Sequence, residues 1–395
     1  MIYDALIALF YLVLLLLAIP VLTFAFQILI AILPGYRRAV IVPSQERIAI
    51  LIPAHNESAG IEHTLQSIKQ QATTNTRIVV VADNCTDNTA EVARKADVEA
   101  IERFDQEKRG KGYALDFGLQ FLKQSPPDIV MVFDADCEID TGTIDALANA
   151  VVTRQSAIQA LYLIQSNPNG DIKSKIAEFA YVVKSWTRPL GFHRLGLPMQ
   201  LMGSGMAFPW QQIENANLVH GSIVEDMKLG IDLTIAYRAP GFCPEAYVAS
   251  LFPEHDAGTE SQRKRWEHGH ISMIVKEGIP LLLKGITSFN FSIIAMALDL
   301  IVPPLALLFL LSALLAFVSA AAWILTGDAQ PWSLGVGVFV ILTGFVLIAW
   351  FKHGRNILSI MSLFAYAPVY ALSKIKLYLN FFKNRQVEWV KSRKD

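Results

Sequence analysis

The sequence predicts an α/β domain built on a mainly parallel sheet and flanked by helices, with membrane helices at both ends of the chain. Three observations carry this prediction: short aliphatic runs that stop at polar residues and alternate with helical stretches, long uncharged runs at either end, and a shortage of polar residues. Of 395 residues, 53% are hydrophobic and 17% are charged, against about 25% charged in an average globular chain. Mean hydropathy is +0.38. That composition excludes a disordered chain and assigns part of the surface to lipid. A net charge of −1 argues against a generally basic nucleic-acid binder, so no nucleic-acid partner is expected. Cys85, Cys137 and Cys243 are odd in number and far apart, which indicates neither a disulfide framework nor a metal knuckle. A reducing compartment fits.

Residues 5–34 carry no charge and lead into Arg37 and Arg38, a run longer than the roughly 20 residues a helix needs to cross hydrocarbon. It reads as a retained span whose C-terminal end is cytoplasmic. Residues 300–327 and 329–351 are also uncharged, with Asp328 between them and Lys352, His353 and Arg355 after them, and predict a membrane hairpin. Residues 357–373 are uncharged but include Pro368, and are expected to lie at the interface or re-enter. From position 374 onward seven basic and two acidic residues favour the cytoplasmic face. Asp299, close to Pro303 and Pro304, is expected at the start of a helix near the headgroups, where the positive end of the helix dipole tolerates it. The chain divides into an N-terminal span (1–36), a cytoplasmic domain with an interfacial helix near its end (37–289), a hairpin (290–352), and an interfacial or re-entrant segment with a basic tail (353–395). The expected location is the inner (plasma) membrane, with several crossings.

Within the central domain, residues 48–53, 78–82 and 129–133 are aliphatic runs that end abruptly, as strands buried on both faces do. Residues 61–71, 89–95, 113–123 and 144–153 fit intervening helices, and the repeated βα pattern implies parallel pairing. In open α/β sheets ligands bind beyond the carboxyl ends of the strands. Those ends read Pro53-Ala54-His55-Asn56-Glu57, Asp83-Asn84-Cys85-Thr86-Asp87 and Asp134-Ala135-Asp136. Taken singly, Thr86 and Asp87 ahead of a helix have two readings of equal weight, a structural one as a helix cap or Asx-turn and a functional one as part of a ligand site. Together the three ends deliver acids to one edge.

Asp134 and Asp136 share a side if the strand continues that far, and two adjacent carboxylates need a cation or a shared proton. Mg²⁺ and Mn²⁺ suit such oxygen ligands, with substrate phosphates completing the shell, although Asp-x-Asp is also common in loops. Lys108-Arg109-Gly110-Lys111-Gly112 precedes a predicted helix and suits a diphosphate near backbone amides. Glu225 and Asp226 open a helical stretch, where acids commonly act as caps or dipole partners. Gly203-Ser204-Gly205-Met206 forms a glycine-bearing segment before them. In Gln262-Arg263-Lys264-Arg265-Trp266, positions 262, 265 and 266 share a helix face, placing a guanidinium for phosphate beside an indole for a sugar ring.

The ordered set ADNCTD with Asp83, FDADC with Asp134 and Asp136, VED with Asp226, and QRKRW at 262–266 resembles the family 2 glycosyltransferases. It is most similar to their membrane-embedded branch, which includes cellulose, hyaluronan and poly-N-acetylglucosamine synthases. The resemblance covers residues 48–266 and implies a GT-A fold and an inverting transfer, forming a β-linkage, from a nucleotide sugar, UDP-linked, in cell-surface or extracellular polysaccharide synthesis. It further implies that Pro53, Ala54, Glu57 and Asp83 hold the nucleoside, that Lys111 lies near the nucleotide, and that Asp134 contacts the nucleotide sugar. Asp136 would ligate Mg²⁺ or Mn²⁺, and Asp226 would be the catalytic base. Gln262 and Arg265 would close over the diphosphate, while Gly203, Ser204, Gly205, Glu225 and Trp266 would face the acceptor.

The implied partners are a nucleotide sugar, a saccharide or lipid-linked acceptor, the lipid bilayer and polysaccharide-assembly proteins. VED stands where cellulose synthase has TED, and a single strong span precedes the domain, which argues against a wide polymer channel. A transferase adding one sugar to a polyprenyl-linked acceptor is the alternative enzyme. An inactive nucleotide-binding subunit of a polysaccharide assembly is the alternative of another class.

Overall fold

The structure, a computed structural model, describes residues 2–167, 170–219, 224–252, 256–327, 329–330 and 332–383. Two compact units emerge. One contains residues 35–167 and 196–262; the other contains residues 1–34, 170–195 and the described residues from 263 onward.

The first unit is built on an eight-stranded mixed sheet: β1 (Ile48–Ala54), β2 (Thr76–Asp83), β3 (Glu99–Arg103), β4 (Ile129–Val132), β5 (Glu138–Ile139), β6 (Ile158–Gln165), β7 (Met206–Pro209) and β8 (Gly241–Leu251), in the order β3-β2-β1-β4-β7-β6-β8-β5. Strands β3, β2, β1 and β4 pair in parallel, as do β6 and β8. β7 runs antiparallel to both β4 and β6, and β5 antiparallel to β8. The three aliphatic runs foreseen from sequence are the central parallel strands. Helices Ile61–Lys69, Thr89–Lys95, Lys111–Leu122 and Thr143–Arg154 fall at the foreseen stretches. Odd-numbered residues of β1 and β2, Leu51 and Val81 among them, share a core with Leu115 and Leu119, as period two in a strand requires. Gly118 lets that helix close on the sheet: a Cβ there would lie 3.0 Å from both Leu51 and Val81 side-chain carbons.

The second unit is helical. Helices spanning Asp4–Ile32, Leu305–Thr326 and Trp332–Gly354 are each long and apolar enough to cross a membrane. The polar turn expected at Asp328 lies outside the described residues, as does the basic tail beyond Lys383. Residues 360–373 form a separate 14-residue helix, followed by Ile375–Lys383.

Asp299 corrects the sequence reading. It is the penultimate residue of helix Phe291–Leu300, at the end where the dipole is negative and disfavours an acid. Asp299 is instead buried and held by side chains: Arg188 donates to its carboxylate at 2.8 Å and Gln27 at 2.6 Å, while Arg188 also donates to Gln27 Oε1 at 2.6 Å. Pro303 and Pro304 lie beyond that helix end, and Pro304 precedes helix Leu305–Thr326. A proline is suited to this place because it cannot extend the preceding helix.

Candidate active site

The loops after β1 and β2 are tied to each other. Asn56, at φ 54°, accepts from the Thr86 N–H at 2.7 Å through Oδ1, and the Glu57 N–H donates to Thr89 Oγ1 at 2.9 Å. His55 Nδ1 lies 2.6 Å from the Asp83 carbonyl oxygen. Asp87 receives the N–H groups of Ser58 and Thr89, at 3.1 and 3.0 Å, and the Thr89 hydroxyl. Partial burial pushes its pKa up, but these hydrogen bonds win and hold it at about 2. Of its two readings, the structural one describes what Asp87 does here.

Asp83, at the end of β2, is buried in an ion pair with Arg103 of β3 at 2.6 Å, and Asn84 Nδ2 also donates to it at 3.1 Å. Arg103 donates in addition to Asp105 and to the Lys108 carbonyl, and lies over the Tyr113 ring. Sequence reasoning missed Arg103. A basic residue closing a short run beside the acid-bearing strand was the available signal.

β4 stops at Val132, so Asp134 and Asp136 are not on a continuing strand. A turn brings them together, with the Cys137 N–H donating to the Asp134 carbonyl at 3.3 Å. Ligand atoms of Asp134, Asp136 and Cys137 all lie within 4.8 Å of one another, the only such group among the described residues. Burial and the two aspartate charges push the Cys137 thiol well above its ordinary range. The oxygen donors therefore define the group, and they fit a hard divalent cation.

Lys111 is the first residue of helix Lys111–Leu122. Its ammonium pairs with Asp134 and donates to the Gly203 carbonyl at 2.8 Å. Burial pushes its pKa down, but the charges of Asp134, Glu225 and Asp226 outweigh burial and the net shift is upward. Lys111 is therefore a protonated cation among three carboxylates at neutral pH.

Gly203 and Gly205 adopt φ +86° and +69°, a region that side chains with a Cβ avoid. The Gly205 N–H donates to Val132 at 2.9 Å, which ties the loop to β4. Ser204 is fully buried, and its hydroxyl receives the Asp134 N–H at 3.0 Å. Buried Gln159 donates to the Ser204 carbonyl at 2.7 Å and receives the Met202 N–H at 2.8 Å. A polar residue inside an apolar strand was the signal for Gln159, and it was not read. Glu225 and Asp226 begin helix Glu225–Ile235. A Cβ added to Gly203 would stand 3.3 Å from Asp226 Oδ2 and 3.5 Å from Lys111 Nζ.

The structure thus gathers Asp134, Asp136, Lys111, Gly203, Ser204, Glu225 and Asp226 in one cluster. Pro53 and Ala54 end β1, Glu57 follows in the loop after it, and Asp83 ends the adjoining β2. Arg265 and Trp266 lie on helix Asp256–Met273, grouped with the helical unit, where the Trp266 ring is 6.3 Å from Tyr181. The side chains of Gln262 and Arg263 lie outside the described residues.

Acids and a half-buried lysine thus gather around a glycine loop at the carboxyl edge of the parallel strands, and the family to which this sheet and site belong is a transferase family. The chain belongs to the Glycosyl transferase family group 2, which matches residues 129–352, and Glycosyl transferase family 2 matches residues 49–208. Poly-β-1,6-N-acetyl-D-glucosamine synthase of Staphylococcus epidermidis is 24% identical over 262 residues, 62% of this chain and 61% of that protein. The chain therefore spans about three fifths of that relative's length. The synthase of the same name from Staphylococcus aureus is 37% identical over 101 residues, 25% of this chain and 24% of that one. The mannosyltransferase of Pyrobaculum calidifontis, solved with GDP-mannose and Mn²⁺, superposes with a TM-score of 0.50 at 19% identity, covering 89% of this chain and 98% of that one. This likeness is one of fold, and the fold is of the GT-A type.

Proposed function

We propose that this family 2 glycosyltransferase moves a sugar from a nucleoside diphosphate, UDP-linked, to a saccharide or lipid-linked acceptor, with inversion to a β-linkage. The observation that carries the proposal is the convergence of Asp134, Asp136, Lys111, Gly203 and Asp226 at the carboxyl edge of the parallel strands. The loops after β1 and β2, with Asp83 fixed by Arg103, receive the nucleoside. Asp134 contacts the donor sugar. Asp136 is the protein ligand for Mg²⁺ or Mn²⁺, which when bound supplies Lewis-acid compensation for the departing diphosphate.

Asp226 takes the proton from the acceptor hydroxyl as that oxygen attacks the anomeric carbon, a role that requires hydrogen-bond reach to the acceptor. The Lys111 ammonium, paired with Asp134 and close to Glu225 and Asp226, offsets the negative charge gathered there. Gly203 and Glu225 border the acceptor, and Ser204 acts by fixing Asp134 and the loop backbone. Arg265 adds a cation toward the diphosphate and Trp266 a flat apolar surface toward the sugar.

The three helices long and apolar enough to span among the described residues support a multi-pass membrane enzyme, and the basic residues after the first and last of them support a cytoplasmic catalytic unit. Similarity to poly-N-acetylglucosamine synthases supports polysaccharide synthesis, alone or with assembly proteins. The test is a screen of radiolabelled UDP- and GDP-sugars on membranes containing the full chain, with product sizing and a chelated control. Metal-dependent incorporation from one UDP-sugar supports the proposal, and a ladder or long polymer separates processive synthesis from single addition. Absence of transfer and of donor hydrolysis with every sugar would overturn it in favour of a nucleotide-binding subunit.

A further inference from the structure

Helix Asp256–Met273 carries Arg265 and Trp266, and the residues that follow them are tied to the C-terminal helices at consecutive positions. Lys374, between helices Ile360–Ser373 and Ile375–Lys383, donates to Glu267 Oε1 at 2.8 Å, with side chains 10% and 18% exposed. The same ammonium lies 5.4 Å from the Tyr370 ring centroid. His268 is fully buried, with Nε2 3.0 Å from the Leu377 carbonyl and its ring edge-on to Phe381 at 5.4 Å. One turn further, Ile271 shares a buried cluster with Tyr378 and Phe381. On the other side, Trp266 meets Tyr181.

Successive residues of an α-helix point about 100° apart. Directional contacts at 267 and 268 therefore fix the rotation of the helix about its own axis, and with it the direction of Arg265 and Trp266. A largely buried ion pair adds little stability over an apolar pair of the same volume, so what this contact supplies is register.

We propose that the C-terminal segment from Lys374 to Phe381 is a clamp that sets the orientation of Arg265 and Trp266 for transfer, with Lys374 a positioning residue acting through Glu267. The inference rests on the role given to Arg265 and Trp266 under the proposed function. A helix held in the wrong rotation presents the right groups in the wrong place, and misplacement of a positioned group by 1 Å can cost about a hundredfold in rate.

The test uses the full chain in lipid nanodiscs, with nucleotide-sugar turnover and thermal unfolding measured on each variant. Lys374→Met is expected to lower kcat, and kcat/KM for the nucleotide sugar, about tenfold or more with the folded fraction unchanged. Lys374→Arg is expected to retain activity. The exchanged pair Glu267→Lys with Lys374→Glu should recover to within about threefold of wild type, because the tie is remade with its charges reversed. Should Lys374→Met fail to fold, the exchanged pair and Lys374→Arg still decide the matter.

Trp266→Ala serves as the reference. If it loses turnover while Lys374→Met keeps wild-type kcat, the clamp is overturned and the role of Trp266 stands. If Lys374→Met loses activity only in proportion to its folded fraction, and the exchange restores neither, the segment is merely structural and the clamp is again overturned. Full activity of Trp266→Ala would overturn the underlying reading of that residue.

Discussion

Alanine at Gly203 and at Gly205 should separate activity from stability within three residues of chain. Both positions have positive φ, so a Cβ costs about 1–2 kcal/mol at either. At Gly205 the new atom would also stand 2.8 Å from Ala160 Cβ and 3.0 Å from Val248 Cγ2, on β6 and β8, which pair with each other. Overpacking of that kind adds about 1–3 kcal/mol, giving a loss of about 2–5 kcal/mol and a fall of about 4–20 °C in the unfolding midpoint of a domain near 200 residues. At Gly203 the new contacts are 3.3 Å to Asp226 Oδ2 and 3.5 Å to Lys111 Nζ, close but not overlapping. Gly203→Ala should therefore show the smaller thermal shift, with turnover down about tenfold to a hundredfold because a methyl group displaces charged groups. Thermal unfolding of the purified full chain, monitored by intrinsic fluorescence, and nucleotide-sugar turnover on the same samples provide the comparison. Equal midpoint losses, or Gly203→Ala as the less stable of the two, would refute this placement of the loop.

Lys111→Met removes the cation from among Asp134, Glu225 and Asp226; turnover should fall about a hundredfold in the nucleotide-sugar assay, because the acids are left without the charge that offsets and positions them. Turnover close to wild type in that variant would contradict the role given to Lys111. For Asp87, the folded-state pKa lies at about 2 against an ordinary 3.8, so its hydrogen bonds contribute stability that is fully present above pH 3.8 and lost as pH falls through about 2. The stability gap between wild type and Asp87→Ala should accordingly be constant near neutrality and close toward pH 2 in urea titrations. Asp299→Ala leaves Arg188 buried without its carboxylate and should cost about 3–5 kcal/mol, whereas replacing all three partners, Gln27→Leu with Arg188→Met and Asp299→Leu, should recover much of the loss in the same thermal assay.

The parts legible in the sequence were those in which burial alone dictates residue type. β1, β2 and β4 are covered on both faces, so they read as unbroken aliphatic runs, and the helices between them followed from spacing. β3, with Glu99, Glu102 and Arg103 on an edge, looks like a charged linker. β8 includes Pro244 and Glu245, and its pairing with β6 is offset between Ala160 and Leu161, which hides the alternation. The acids at the strand ends were legible as a group, while their supports were not. Gln159 and the buried Ser204 hydroxyl act through partners 45 and 70 residues away and Arg103 through Asp83, 20 residues back; a lone polar residue in an aliphatic run and an arginine closing a short one mark the first and last of these without naming their partners. Asp299 was misread for the same reason: its partners Arg188 and Gln27 are more than a hundred residues away.

The central claim is that Asp136 serves metal-dependent donor binding while Asp226 serves transfer alone. Calorimetric titration of a UDP-sugar into wild type, Asp226→Asn and Asp136→Ala, each with and without Mn²⁺ and each paired with a transfer assay, tests it most directly. The account predicts that Asp226→Asn binds donor with near-wild-type, Mn²⁺-dependent affinity yet transfers at least about a thousandfold more slowly, and that Asp136→Ala loses the Mn²⁺ dependence. Substantial transfer by Asp226→Asn, or unchanged Mn²⁺ dependence in Asp136→Ala, would contradict it.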